Sequence, residues 1–104
     1  MDEERTVGGQ IIQWDDEKNE INIRKHGISL KAACYVFADP HRKWWLDVQH
    51  SVNEKRYKTL GRIGKIVFAV YTERGDVIRL ISARRATKKE REVYLYGNPS
   101  NDDS

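Results

Sequence analysis

The chain has 104 residues, 38% hydrophobic and 34% charged, with a formal net charge of +3. That length allows one domain with a modest core, and no apolar run approaches the roughly 20 residues of a membrane span. The polar stretch from Met1 to Gly9 lacks the apolar segment of a secretory signal, and the lone Cys34 excludes an internal disulfide; both point to the cytoplasm.

In chain order, residues 1–10 read as a disordered tail. Ile11 to Trp14 is a short apolar strand that ends at Asp15-Asp16, good N-cap residues for a helix running to about His26, where Gly27 stops it. Ser29 opens a second helix with Leu30, Ala33 and Phe37 on one stripe, and Asp39-Pro40 end it. Lys43 to Val48 alternates as a strand, with Trp44, Leu46 and Val48 on one face and Trp45 and Asp47 on the other; Gln49 to Val52 is a loop. Glu54 to Leu60 is a second alternating strand, with Glu54, Arg56 and Lys58 facing one way and Tyr57 and Thr59 the other.

After a turn at Gly61 to Gly64, the continuous apolar run Ile66 to Tyr71 predicts a central strand covered on both faces, and Glu73 to Asp76 a tight hairpin. The last strand starts at Val77. Strict alternation places Ile78, Leu80, Ser82 and Arg84 on one side and Arg79, Ile81 and Arg85 on the other. Thr87 and Glu90 have capping-box spacing for a final helix ended by Gly97 and Pro99, with residues 97–104 a disordered tail. The order predicts an α+β fold: a small antiparallel sheet of four to five strands, residues 11–96, with helices on one face and an open, charged surface on the other.

The charge is unevenly placed. Arg74 to Arg91 is strongly basic while the acids lie in both tails and from Asp15 to Glu20, so one face can attract a polyanion despite the small total. Glu54, Arg56 and Lys58 combine an acid or base with two cations. RNA cleavage by the 2′-hydroxyl needs that set: a base takes the proton and cations stabilise the charge growing on the phosphorane oxygens. The bland alternative is a row of salt bridges on a solvated face. Arg84 is either such a functional cation or a structural ion pair.

Lys18, Asn22, Lys25 and His26 share a helical stripe suited to phosphate contact and proton transfer, or else to internally satisfied polar groups beside Ile21 and Ile23. His41 and His50 fall in loops and carry little signal, and the His and Cys residues do not stand at metal-ligand spacing. Trp14, Trp44 and Trp45 can stack on bases or fill cores; Trp45, on the Asp47 face, is the better candidate for a partner contact.

Trp14-Asp15, Lys18, Asn22, Lys25-His26-Gly27, Val36 to Pro40, Glu54-Lys55-Arg56, Gly61, Tyr71 to Gly75, Ile81 to Ala86, Glu90 and Tyr94 occur in an order that resembles the BrnT toxins, over about Ile11 to Tyr96. The resemblance implies a RelE/ParE-like fold and a cytoplasmic endoribonuclease that arrests growth by cutting RNA without a metal or other cofactor. It also implies a BrnA-type ribbon-helix-helix antitoxin, in a toxin-antitoxin heterotetramer that meets DNA only through the antitoxin. Carried onto this chain, it makes Glu54, Arg56, Arg84 and His26 the expected catalytic residues. Lys25, Lys58, Arg74, Arg79, Arg85 and Trp14 are then expected to bind RNA; Trp44 and Trp45 sit where the family is variable, so the partner role of Trp45 rests on its place on the Asp47 face alone. The competing reading is a non-catalytic RNA- or protein-binding module that uses the same basic sheet.

Overall fold

Gly8 and Gly9, at φ +58° and +80°, fold the N-terminal segment back on itself in the computed structural model, which describes residues 1–97. Positive φ at both central residues suits a two-residue hairpin, and this one joins β1 (Asp2–Val7) to β2 (Gln10–Asp15) in a register running from Asp2 opposite Asp15 to Val7 opposite Gln10. The expected disordered tail at residues 1–10 is therefore a strand. Its polar side chains hid it, because an edge strand needs only backbone partners and a solvated face. The expected C-terminal tail lies outside the described residues except for Gly97.

The other elements follow as α1 (Asp16–His26), α2 (Leu30–Ala33) continued by a 3-10 turn at Cys34–Ala38, β3 (Lys43–Leu46), a 3-10 turn at Val48–His50, β4 (Arg56–Ile63), β5 (Lys65–Arg74), β6 (Val77–Arg85) and α3 (Lys88–Tyr96). The sheet order is β1-β2-β6-β5-β4-β3, antiparallel except where β2 runs parallel to β6. The α+β class is as expected, but the sheet is mixed and six-stranded rather than antiparallel with four to five strands.

Local chemistry sets the helix ends. The Asp15 carboxylate accepts from the Lys18 N–H at 3.2 Å, and Gly27 at φ +71° closes α1 by donating to the Ile23 carbonyl. Ser29 caps α2 through the Ala32 N–H at 2.9 Å. Helix α1 docks through amides more than through apolar side chains. Asn22 donates to the carbonyls of Ala83 and Ile28, both at 2.7 Å, and accepts from the Ala83 N–H at 3.1 Å, while Asn19 accepts from the N–H groups of Leu30 and Lys31. Asn22 is thus an internally satisfied polar group, and Ile21 and Ile23 beside it are exposed.

Two apolar clusters lie on opposite faces of β5. Val67, Ala69 and Tyr71 pack under α2 and the Cys34–Ala38 turn with Ile12, Trp14, Leu30, Val36 and Leu80, whereas Ile66 and Phe68 pack with Leu60, Ala86 and Tyr94 of α3. Helices therefore cover both faces, not one: α3 crosses one end of the face expected to be open. Asp39 ties the layers together, accepting from the Arg62 N–H at 2.7 Å and from the Tyr94 hydroxyl at 2.5 Å.

Gly61 lets the 3-10 turn approach β4. A Cβ there would stand 2.6 Å from the Cβ and 3.1 Å from the Cα of Val36. Because the second of those atoms is backbone, the clash cannot be relieved by a rotamer change. Gly61→Ala is expected to destabilise the protein by about 2–3 kcal/mol, as overpacked sites do, with a matching fall in the denaturant midpoint.

Candidate active site

One extra residue in β6 decides what the uncovered face presents. Val70 pairs with Ser82 but Tyr71 pairs with Leu80, so Ile81 is a bulge and the alternation of β6 flips across it. Leu80 and Ala83 both point into the helix-covered core, and Arg79, Ser82 and Arg84 all point to the other face. Strict alternation had set Arg79 and Arg84 on opposite sides; the bulge brings them to the same one.

The register then builds a row across the sheet. Arg56 lies opposite Thr72, Thr72 opposite Arg79, Arg79 beside Gln13, and Gln13 opposite Glu4. Asp47 extends the row beyond Arg56 through its N–H, which donates to the Arg56 carbonyl at 2.8 Å. The next row is Lys58, Val70 and Ser82, and the one after it, Leu60, Phe68 and Arg84, passes beneath α3. Neighbours in such rows have Cβ atoms about 5 Å apart, which holds several cations within reach of one phosphodiester. Thr72 is fully buried between Arg56 and Arg79, and its hydroxyl has no hydrogen-bond partner among the described residues.

Acids ring these cations. Asp2 of β1 receives Arg79 at 2.8 Å, and that guanidinium holds the Asp2 carboxyl below its ordinary range. Glu54 receives Arg74 at 3.3 and 3.4 Å. Asp47, only 7% exposed at its side chain, lies 2.9 Å from the His50 ring and 3.9 Å from the Lys58 ammonium. Burial pushes the Asp47 carboxyl up, but those two groups outweigh it and hold it below the usual carboxylate range. Arg56 makes no ion pair among the described residues.

Of the expected site residues, Arg56, Lys58 and Arg79 meet on this face, with Arg74 at its border. Glu54 precedes β4 in a loop instead of sharing its face. Arg84 is held elsewhere: its two terminal nitrogens donate to the Glu90 carboxylate at 2.8 and 2.9 Å, and its guanidinium carbon stands 4.2 Å over the Phe68 ring. Arg85 is exposed at the end of β6 on the Val67 side. Lys25 and His26 are exposed at the end of α1, whose docking residue Asn22 binds β6 on the Ala83 side; the sheet stands between them and Arg56. Trp14 is a core residue at 3% exposure and offers no stacking surface, because β2 turns it to the side of Ile12.

Trp45 points to the Lys58 side and, with Trp44, Thr87 and Val93, lines a cleft of about 630 Å³ between β3 and α3. Trp44, on the Leu46 face as expected, is 57% exposed and meets Tyr57 edge-on rather than entering the core. Sequence reasoning missed the Asp47 and His50 pair. Its one signal is the three-residue spacing, which only the 3-10 turn at Val48–His50 converts into a contact.

The family model for the ribonuclease toxin BrnT of type II toxin-antitoxin systems matches residues 14–90. Among solved structures, the Brucella abortus ribonuclease toxin BrnT is similar with a TM-score of 0.56 at 21% identity, covering 72% of this chain and 94% of that one. No curated protein matches. The strand β1 precedes the residues that the family model covers.

Arg84→Ala is expected to cost about 1–2 kcal/mol of stability, the low end for charge-assisted bonds because the guanidinium is one-third open to solvent. Burial pushes the Glu90 carboxyl up, yet Arg84 and the Thr87 N–H hold it below the ordinary range. The pair therefore stabilises the fold above the ordinary glutamate value of about 4.3, and the deficit of Arg84→Ala should shrink as pH falls below about 4. Chemical unfolding of both chains at pH 7 and pH 3.5 measures it.

Proposed function

The chain belongs to the BrnT family of ribonuclease toxins of type II toxin-antitoxin systems, and from that premise we propose that it cleaves RNA in the cytoplasm, without a metal, on the face built by Arg56, Lys58, Thr72 and Arg79. The register row carries this reading. It sets Arg56, which makes no ion pair among the described residues, and Arg79 on either side of a buried hydroxyl, with Lys58 in the adjacent row. Arg56 and Lys58 hold the scissile phosphate and neutralise the charge that grows on its non-bridging oxygens as the neighbouring 2′-hydroxyl attacks. Arg74 and Arg79 extend the cationic track along the RNA backbone, each released from its carboxylate by the stronger pull of a phosphate. Arg84 serves the reaction indirectly, by fastening α3 over one end of the face through Glu90.

An antitoxin of the BrnA type, contributing carboxylates and apolar side chains, covers this face together with the aromatic cleft beside it. Two features support that partner. Strand β3 ends the sheet with all four of its residues exposed, and Trp45 lies between its free edge and Lys58. Occupation of the face then excludes RNA.

Induction of the chain without its antitoxin is expected to arrest growth and leave transcripts with 2′,3′-cyclic phosphate ends, and the purified chain to cut RNA in the presence of chelator. Arg56→Ala should lower the cleavage rate by about a hundredfold or more. RNA that stays intact during arrest would sink the reading, and a parent that cuts only with added divalent cation would remove its metal-free part.

A further inference from the structure

On the ribonuclease reading above, we propose that His50, oriented by the buried carboxylate of Asp47, is the residue that takes the 2′-proton. The segment carrying it is fastened to the cationic face at several points. Asp47 continues the β3 ladder by donating its N–H to the Arg56 carbonyl at 2.8 Å. The Ser51 hydroxyl donates to the Asp47 carbonyl at 2.6 Å and accepts from the Arg56 N–H at 2.9 Å. The 3-10 turn between them sets the His50 Nδ1 2.9 Å from Asp47 Oδ2. A carboxylate accepts only, so Nδ1 carries the proton and the lone pair of the neutral ring resides on Nε2.

That second nitrogen belongs to a side chain 60% exposed, which shares a cleft of about 300 Å³ with Arg56 and Glu54. The imidazole is therefore open to substrate beside Arg56, which makes no ion pair among the described residues. The expected base, Glu54, is engaged by Arg74, and the other expected proton carrier, His26, is across the sheet. The charged groups around His50 are Asp47 itself, Lys58 and Arg56 from β4, Glu54 from the preceding loop, and Arg74 of β5 behind Glu54. Lys58 balances the Asp47 charge when the ring is neutral, and the carboxylate stabilises the imidazolium once formed.

In the step itself, the 2′-oxygen forms a bond to phosphorus as its proton passes to Nε2. The bond from phosphorus to the 5′-oxygen breaks, and that oxygen leaves with a proton from solvent, giving a 2′,3′-cyclic phosphate and a 5′-hydroxyl. The imidazolium returns its proton to solvent, so no water is added and nothing is oxidised or reduced.

The test compares the full-length parent with His50→Ala, His50→Gln and Asp47→Asn, using single-turnover cleavage of a mixed-sequence RNA pool from pH 5 to 9 and binding of the same pool in 2′-O-methyl form. Both His50 variants are expected to lose a hundredfold or more in rate, and with it the acid-side fall of the pH profile, while binding stays within threefold. Asp47→Asn should slow cleavage at least tenfold, with binding of the 2′-O-methyl pool within threefold, because a neutral amide no longer stabilises the imidazolium formed as the 2′-proton is taken.

His50 variants that cleave within threefold of the parent at every pH overturn the assignment and leave the ribonuclease reading standing. A rate loss matched by an equal loss of 2′-O-methyl RNA binding also overturns it, making His50 a binding residue. If His50→Ala melts well below the parent, His50→Gln, which retains a donor to Asp47, decides by the same criteria. A parent that leaves RNA intact overturns both readings.

Discussion

The bulge at Ile81 and the amide that receives β6 just after it fix the geometry on which the rest of this protein depends. Strand β2 is in register with β6 from Ile11 to Gln13, opposite Val77 to Arg79, and Ala83 farther along finds its edge partner in Asn22. One side chain meets both the N–H and the carbonyl of Ala83 and reaches the Ile28 carbonyl as well, so α1, β6 and the approach to α2 share a single buried amide. Removing such a group leaves backbone donors and acceptors buried without partners, which costs more than the bonds themselves contribute. Because Ala83 is held there, the extra residue must be absorbed between Leu80 and Ser82. That absorption turns Arg79 and Arg84 to the same face.

The face is electrostatically divided. Its centre, around Arg56 and Thr72, has cations in excess, while its perimeter is neutralised by Asp2, Asp47, Glu54 and Glu90, each supplied by a different segment. A sheet that concentrated all these cations without carboxylates would repel itself. Local pairing leaves Arg56 without an ion pair among the described residues. The N-terminal strand takes part in this: although it precedes the family match, its Asp2 and Glu4 lie on the same side as Arg79 and Gln13.

Helix α3 closes one end of the face by polar struts more than by apolar burial. Tyr94 is its one buried residue; it contacts the second core and donates to Asp39, while Arg62 stands 5.5 Å over its ring. At the other end of the helix, the capping box of Thr87 and Glu90 doubles as the receptor for Arg84. The same carboxylate thus starts the helix and fixes it to β6, leaving the aromatic cleft of Trp44 and Trp45 along its open side.

What the sequence determined by itself was local. Asp15 and Gly27 bound α1, Ser29 opens α2, Thr87 and Glu90 cap α3, and the apolar run of β5 marks a strand buried on both faces, because each of these rests on neighbours a few residues apart. Arg56, Lys58 and Arg79 were legible as candidates in the same way: long cationic side chains on a strand call for a function or a partner. Strand pairing and facing were decided by the tertiary structure. Asp2 to Val7 became a strand only because β2 offered an edge, and Trp14 became core through the face that β2 turns to α2. Arg84 joined Glu90, and His50 met Asp47 beside Arg56, only once the bulge and the 3-10 turn had set their directions. A period of two fixes sides within an unbroken strand, but a single inserted residue reverses it, and nothing in the local sequence around Ile81 records that insertion.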